Sequence, residues 1–176
     1  MASWARKAVV LSIWTIVGMT CPAWAMTVSE DVVKAGYVLN FLRYAQLPNQ
    51  NLDVLTVCLD APANILEIFK ALERKKVNGK RVSVKRLSED DVASCSAVFF
   101  SKLGAKGNQE LLQQSVRLGV LTIGDIERFE KVGGMIALFT QDGKVKFRIS
   151  RKALREADIS LSSKVMKLAT GLDDEN

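Results

Sequence analysis

Between residues 52 and 149, short apolar runs of strand length alternate with stretches whose apolar residues recur at three- and four-residue steps. This alternation limits the available folds more than any other feature. The strand-like runs are Leu52 to Leu59, Arg81 to Leu87, Ala97 to Phe100 and Val120 to Ile123. The first and third are nearly continuous in apolar character, as strands buried on both faces are, whereas Arg81-Val82-Ser83-Val84-Lys85-Arg86-Leu87 alternates with period two. Ile65, Leu66, Ile68, Phe69 and Leu72 mark a helix closed by the charges ending at Lys76 and by Asn78-Gly79. A further helix is expected over Asn108 to Val116 and a short one over Asp125 to Lys131. Repeated strand and helix in this order predicts an α/β fold, a three-layer domain with a mainly parallel sheet of five to six strands and helices on both faces.

The flanks complete that plan. From Val28 to Tyr44, apolar positions including Val32, Ala35, Val38, Leu39 and Leu42 define one buried helix face, with Ser29 as N-cap, Glu30 and Asp31 in the first turn, and Pro48 beyond the end. Gln141-Asp142-Gly143 separates two β-patterns, Met135 to Phe139 and Lys144 to Ile149, and predicts an antiparallel hairpin at one edge. Helices over Arg151 to Ala157 and Ser163 to Ala169 finish the domain, placed at residues 26–172, before a frayed acidic tail at 173–176.

Ahead of the domain, Arg6 and Lys7 precede an apolar run from Ala8 to Met19, then Pro22 and the small-residue site Ala23-Trp24-Ala25. The run is too short to span a bilayer, and the whole reads as a cleavable secretory signal peptide over residues 1–25 rather than a retained anchor. Lipidation at Cys21 is disfavoured by Thr20, since a lipoprotein signal wants a small residue there. Processing leaves about 150 residues, enough for one core. It removes two positive charges, so the net charge of +6 becomes +4. Arg74-Lys75-Lys76, Lys80-Arg81 and Lys85-Arg86 cluster and could meet an acidic partner or a phosphate-bearing ligand, although a solvated helix end and hairpin is the favoured reading. Export to a compartment poor in DNA and RNA argues against nucleic acid. Cys58 and Cys95 remain after processing, and an even count in an oxidising compartment suggests one bridge, the alternative being two separate buried thiols. Closing a loop of roughly 40 residues would stabilise the fold by about 4 kcal/mol on the chain-entropy model.

The chain contains no histidine, which removes Ser-His-Asp and Cys-His nucleophilic sites and most zinc and haem sites. Gly133-Gly134 and the Gly104 and Gly107 loop match neither a Walker nor a Rossmann fingerprint and read as turns. Cys58 and Cys95 are not a C-x-x-C pair, so thiol exchange has no support. Glu89-Asp90-Asp91 is the one carboxylate cluster and reads as a solvated loop. No catalytic residue, metal ligand or cofactor is nominated, and the residues alone describe a secreted α/β binding module.

Several motifs, taken in order, nevertheless resemble the YfiR/HmsC-like family of periplasmic regulators. They are Lys34-Ala35-Gly36-Tyr37-Val38-Leu39-Asn40-Phe41-Leu42-Arg43-Tyr44, Val57-Cys58-Leu59, Gly79 to Val84, Cys95 to Ser101, Val120 to Asp125, Gly133 to Ile136, and Val145 to Ile149 running on to Ile159-Ser160-Leu161-Ser162-Ser163-Lys164. The resemblance implies a non-enzymatic inhibitor of an inner-membrane diguanylate cyclase, bound through the cyclase's periplasmic region, which lowers cyclic-di-GMP and biofilm formation. It also implies pairing with an outer-membrane OmpA-like lipoprotein, dimerisation, and the Cys58 to Cys95 bridge. Partner contacts carry over to Arg43, Gln46, Arg148, Ser150 and Leu154. The chain departs from the family pattern at Leu47, where Trp is usual, at Arg148, where an acid is usual, and at Ser150, where Asn is usual. A periplasmic module binding a nucleotide or an amino acid at the carboxyl ends of the parallel strands is the rival reading.

Overall fold

The computed structural model of the chain describes residues 29–48, 52–102 and 109–173. The expected signal peptide and residues 174–176 of the expected tail lie outside the described residues, as does the segment holding Gly104 and Gly107. Helix α1 (Glu30–Tyr44) starts where expected, with Ser29 Oγ accepting the Val32 N–H at 3.4 Å and the acids Glu30 and Asp31 at the positive end of the helix dipole. Strands β1 (Ala45–Gln46) and β2 (Val54–Asp60) follow, then α2 (Ala63–Lys70), which tightens into a 3-10 turn ending at Arg74. Next come β3 (Lys76–Val77) and β4 (Lys80–Arg86), a 3-10 turn over Glu89–Ser94, β5 (Ala97–Phe100), α3 (Gln109–Arg117) and β6 (Leu121–Gly124). A 3-10 turn over Phe129–Val132 stands where a short helix was expected. The chain closes with β7 (Ile136–Gln141), β8 (Lys144–Ser150), α4 (Arg151–Glu156), β9 (Ser160–Leu161), α5 (Ser163–Leu168) and β10 (Gly171–Asp173).

The main sheet has eight strands in the order β10-β8-β7-β6-β5-β2-β4-β3. Strands β4, β2, β5, β6 and β7 run parallel, while β8 is antiparallel to β7 and forms the expected hairpin. Its turn residues Asp142 and Gly143 have φ of 54° and 69°, the left-handed pair that matches strand twist in a two-residue hairpin. The six longer strands are those the sequence predicts. The additions are β3, antiparallel to β4, and β10, parallel to β8, one at each edge. The second of these reaches Asp173, the residue at which the tail was expected to begin.

Alternation along the strands divides the interior into two layers. Leu55, Val57, Leu59, Phe99, Ile123, Leu138, Phe147 and Ile149 pack on the side of α1 and α2, with the ring centroid of Phe69 of α2 4.8 Å from that of Phe99. Cys58, Val98, Phe100 and Ala137 face the other way, against Leu111 and Leu112 of α3, Val92 and Phe129. Burying each such large side chain stabilises by roughly 1.5–3 kcal/mol. The second layer contains the Cys58–Cys95 disulfide, whose Cα atoms are 5.9 Å apart. β2 lies alongside β5 with Val57 opposite Ala97, so Cys58 flanks the start of β5 and the 3-10 turn over Glu89–Ser94 delivers Cys95 to it.

Candidate protein-binding face

The resemblance points to the end of the first helix and to the last long strand with the helix after it. After Tyr44, Ala45 and Gln46 leave the helix and pair antiparallel with Leu161 and Ser160, forming a two-stranded clip outside the main sheet. The Ser160 hydroxyl donates to Gln46 Oε1 at 3.0 Å, and the Ser162 N–H donates to the Tyr44 carbonyl at 3.0 Å. Arg43 lies one turn back, its Nη1 donating to Asn40 Oδ1 at 2.8 Å while its carbonyl accepts from Asn78 Nδ2 at 3.1 Å. A depression of about 420 Å³ opens beside the clip, lined by Gln46, Leu47, Pro48, Arg155, Asp158, Ile159 and Ser160. Pro48 is seated against Gly119, where an added Cβ would come within 2.8 Å of Pro48 Cγ and the φ of 66° already favours glycine.

The five residues carried over from the resemblance do not form one surface. Arg43 and Gln46 sit at the clip. Leu154 of α4 is buried in the layer shared with α1, and its carbonyl accepts the Ile159 N–H at 3.0 Å. Ser150 is also buried, and its Oγ accepts the Ala153 N–H at 3.2 Å, which caps α4. Arg148 belongs to the opposite face of the sheet. Its neighbour Phe147 meets Phe41 of α1 edge to face, so Arg148, which pairs with Ala137, is on the α3 side. There its guanidinium lies 4.2 Å above the Phe139 ring, and Nη1 stands 3.8 Å from Glu130 Oε1. The charge that departs from the family pattern thus has an aromatic and an acidic neighbour within the chain. Sequence reasoning missed Arg155, Asp158 and the clip. Their one visible signal was the motif from Ile159 to Ser163.

The most heavily charged interior site is structural. Lys34, 2% exposed, reaches from α1 to Asp125 at the end of β6, with Nζ 2.6 Å from Oδ2, and also meets Glu30 at 2.7 Å. Asp125 Oδ1 accepts the Lys102 N–H at 2.6 Å, which draws the loop after β5 into the same knot. Burial alone pushes the Lys34 ammonium down, but hydrogen bonds to Asp125 and Glu30 outweigh it and hold the pKa above the ordinary lysine value. The hydrogen bond from Lys34 is the largest influence on Glu30, and the Glu30 carboxyl is held below its ordinary range.

The basic cluster lies at the β3 and β4 edge, partly committed: Lys85 pairs with Asp91 at 3.0 Å, and Arg86 donates to the Ala61 carbonyl at 2.9 Å. The second of these contacts fixes the turn after β2. Among the described residues, no group of three or more potential ligands could hold a metal ion, and no helix is long and apolar enough to cross a membrane.

Among solved structures, a conserved domain protein from Vibrio cholerae is similar with a TM-score of 0.54 and 12% identity, over 83% of this chain and 61% of that one. An ABC domain from Streptococcus pneumoniae in complex with L-Trp is similar with a TM-score of 0.55 and 16% identity, over 78% of this chain and 60% of that one. At these identities the likeness concerns the fold, and the chain spans about three fifths of either structure's length. No curated protein matches the chain. The YfiR/HmsC-like family model matches residues 31–170, from the first turn of α1 to the threshold of β10, and so takes in both halves of the clip, the disulfide and the hairpin. The chain therefore belongs to the YfiR/HmsC-like family, whose members are periplasmic regulators in diguanylate cyclase signalling.

Proposed function

We propose that the processed chain acts in the periplasm as a non-enzymatic inhibitor, binding the periplasmic region of an inner-membrane diguanylate cyclase and lowering cyclic-di-GMP and biofilm formation. The observation that carries this reading is the family match along residues 31–170. The clip between β1 and β9 supports it, because hydrogen bonding and main-chain pairing hold Gln46 and Ser160 at the rim of a preformed depression. A preformed surface loses little conformational entropy on binding. Inhibition requires only that this surface fit the inactive arrangement of the cyclase better than the active one. Arg43, Gln46, Arg155 and Ser160 form the contact surface, with Leu154 and Ser150 supporting it from within. An OmpA-like lipoprotein of the outer membrane competes for the protein, and self-association is a further part of the scheme. Deleting the gene in a strain that encodes a cyclase beside it should raise cellular cyclic-di-GMP. An unchanged level would remove the regulatory role.

A further inference from the structure

We propose that the β3 and β4 hairpin, with the turn before it, forms a basic docking face for a membrane surface bearing anionic phospholipid. Seven of the thirteen residues from 74 to 86 are lysine or arginine, and none is acidic. The hairpin turns on Asn78 and Gly79, with φ of 51° and 81°, and places Lys76 directly opposite Arg81. Like charges so placed destabilise a strand pair, and an external anionic surface relieves their repulsion. Val77, Val82 and Val84 are buried on the side of α1 and α2, so alternation turns Lys76, Arg81, Ser83 and Lys85 to the other face. Helix α3 packs over β6 and the Glu89–Ser94 turn, and Lys76 and Arg81 stay exposed. Arg74 and Lys75, at the end of the turn leading into β3, are exposed as well. None of these four cations makes an ion pair with a described residue.

The neighbouring acids leave the hairpin end positive. Glu73 is turned to the backbone, its Oε1 accepting the Val84 N–H at 2.9 Å. Asp53, whose carbonyl accepts the Arg81 N–H, adds one exposed acid, so these two stand against Arg74, Lys75, Lys76, Lys80 and Arg81. Asp91 engages Lys85 at the far end of β4, where Glu89 and Asp90 also lie. Arg81 and Lys85 are about 13 Å apart along an extended strand, beyond the Debye length of about 8 Å at physiological salt. The free cations lie on two strands and a turn of open surface. Long side chains so placed meet a fluid layer of phosphates without the positional match that a folded acidic protein requires. Leu52, next to Asp53, is 42% exposed and adds an apolar side chain in the same corner. Lysines on an edge strand also deter pairing between sheets, but Arg81 belongs to the inner strand β4, and Arg74 and Lys75 precede the edge. Asn78 Nδ2 donates to the Arg43 carbonyl at 3.1 Å, which ties the hairpin tip to the end of α1. A molecule seated on lipid by this face therefore holds its clip in a fixed orientation to the membrane. The proposal does not depend on cyclase binding.

The test is flotation of the oxidised, processed protein with lipid vesicles. Phosphatidylcholine vesicles containing about one quarter phosphatidylglycerol should carry the protein, and pure phosphatidylcholine should not. Binding should vanish in about 1 M salt, where the Debye length is about 3 Å. At about fivefold per cation, Lys76→Ser with Arg81→Ser should weaken partitioning roughly 25-fold. Lys75→Ser should weaken it about fivefold, and keeps the proposal testable if the double variant fails to fold. Arg117→Ser with Lys164→Ser removes the same charge from exposed positions of α3 and α5, and should change partitioning by no more than about twofold. No partitioning to the anionic vesicles, equal partitioning to the neutral ones, or equal losses in the two double variants would overturn the face. Displacement by soluble glycerol phosphate would assign it to single phosphate groups, and tighter binding to polyglutamate than to the vesicles would assign it to an acidic protein. Either result would overturn the proposal.

Discussion

Lys34 shows how a single charge is tolerated in the interior of this domain. Its ammonium is removed from water but lies 2.6 Å from a carboxylate that is itself 5% exposed, so each charge supplies the other's missing solvation. Removing one partner leaves the other uncompensated: Asp125→Ala should cost about 3–5 kcal/mol in urea unfolding. Glu30→Ala, at the exposed end of the same knot, should cost no more than about 1 kcal/mol. A double variant, Lys34→Met with Asp125→Leu, should recover most of the loss, because it replaces the pair rather than breaking it. The pH dependence follows from the two shifts. The Lys34 pKa is raised, so its contribution is complete below the unfolded lysine value, about 10.4, and disappears as pH climbs through the higher folded value. The Glu30 pKa is lowered, so its contribution is complete above the unfolded glutamate value, about 4.3, and disappears as pH falls through the lower folded value. Urea midpoints measured across pH should therefore show this network contributing evenly between about pH 5 and pH 9. Gly134 is the other residue with no tolerance. A Cβ there would lie 2.2 Å from the Phe129 ring, and Gly134→Ala should destabilise by about 2–4 kcal/mol unless the whole turn moves.

Among the elements, the disulfide contributes most through the unfolded chain. It joins β2 to the entry of β5 in the centre of the sheet, where β5 is only four residues long. Reduction, or replacement of both cysteines by serine, should lower stability by about 4 kcal/mol, measured as the drop in unfolding free energy with and without reductant. The six longer strands were legible in sequence because each displays four or more residues of apolar run or alternation, and the hairpin because Asp142-Gly143 demands a left-handed turn. Strands β1, β3, β9 and β10 were not, since two or three residues cannot display a period and their pairing depends on neighbours distant in sequence. The expected helix over 125–131 became a 3-10 turn because the Phe129 ring fills the space left by Gly124 and Gly134, which holds the backbone in a tight reversal.

For the molecule as a whole, the parallel sheet serves as a rigid partition, and the two layers it separates carry different surfaces. The resemblance named residues on both, because a linear motif from Val145 to Ile149 places successive side chains on opposite faces. That division was readable in principle from the alternation of Phe147 and Arg148, but only the position of α1 decides which face belongs with Gln46. The pairing of Gln46 with Ser160, far apart in the chain, left no trace in sequence beyond the motif from Ile159 to Ser163. Two substitutions distinguish these faces. Arg155→Glu at the rim of the depression should weaken the cyclase complex, whereas Arg148→Ala should leave it nearly unchanged, because that guanidinium lies over Phe139 on the far side. The most direct test is a calorimetric titration of the oxidised, processed protein into the purified periplasmic region of an inner-membrane diguanylate cyclase from the same cell. Saturable binding that falls at least tenfold with Arg155→Glu and holds with Arg148→Ala is the predicted result, and no measurable binding by the oxidised protein would contradict the account.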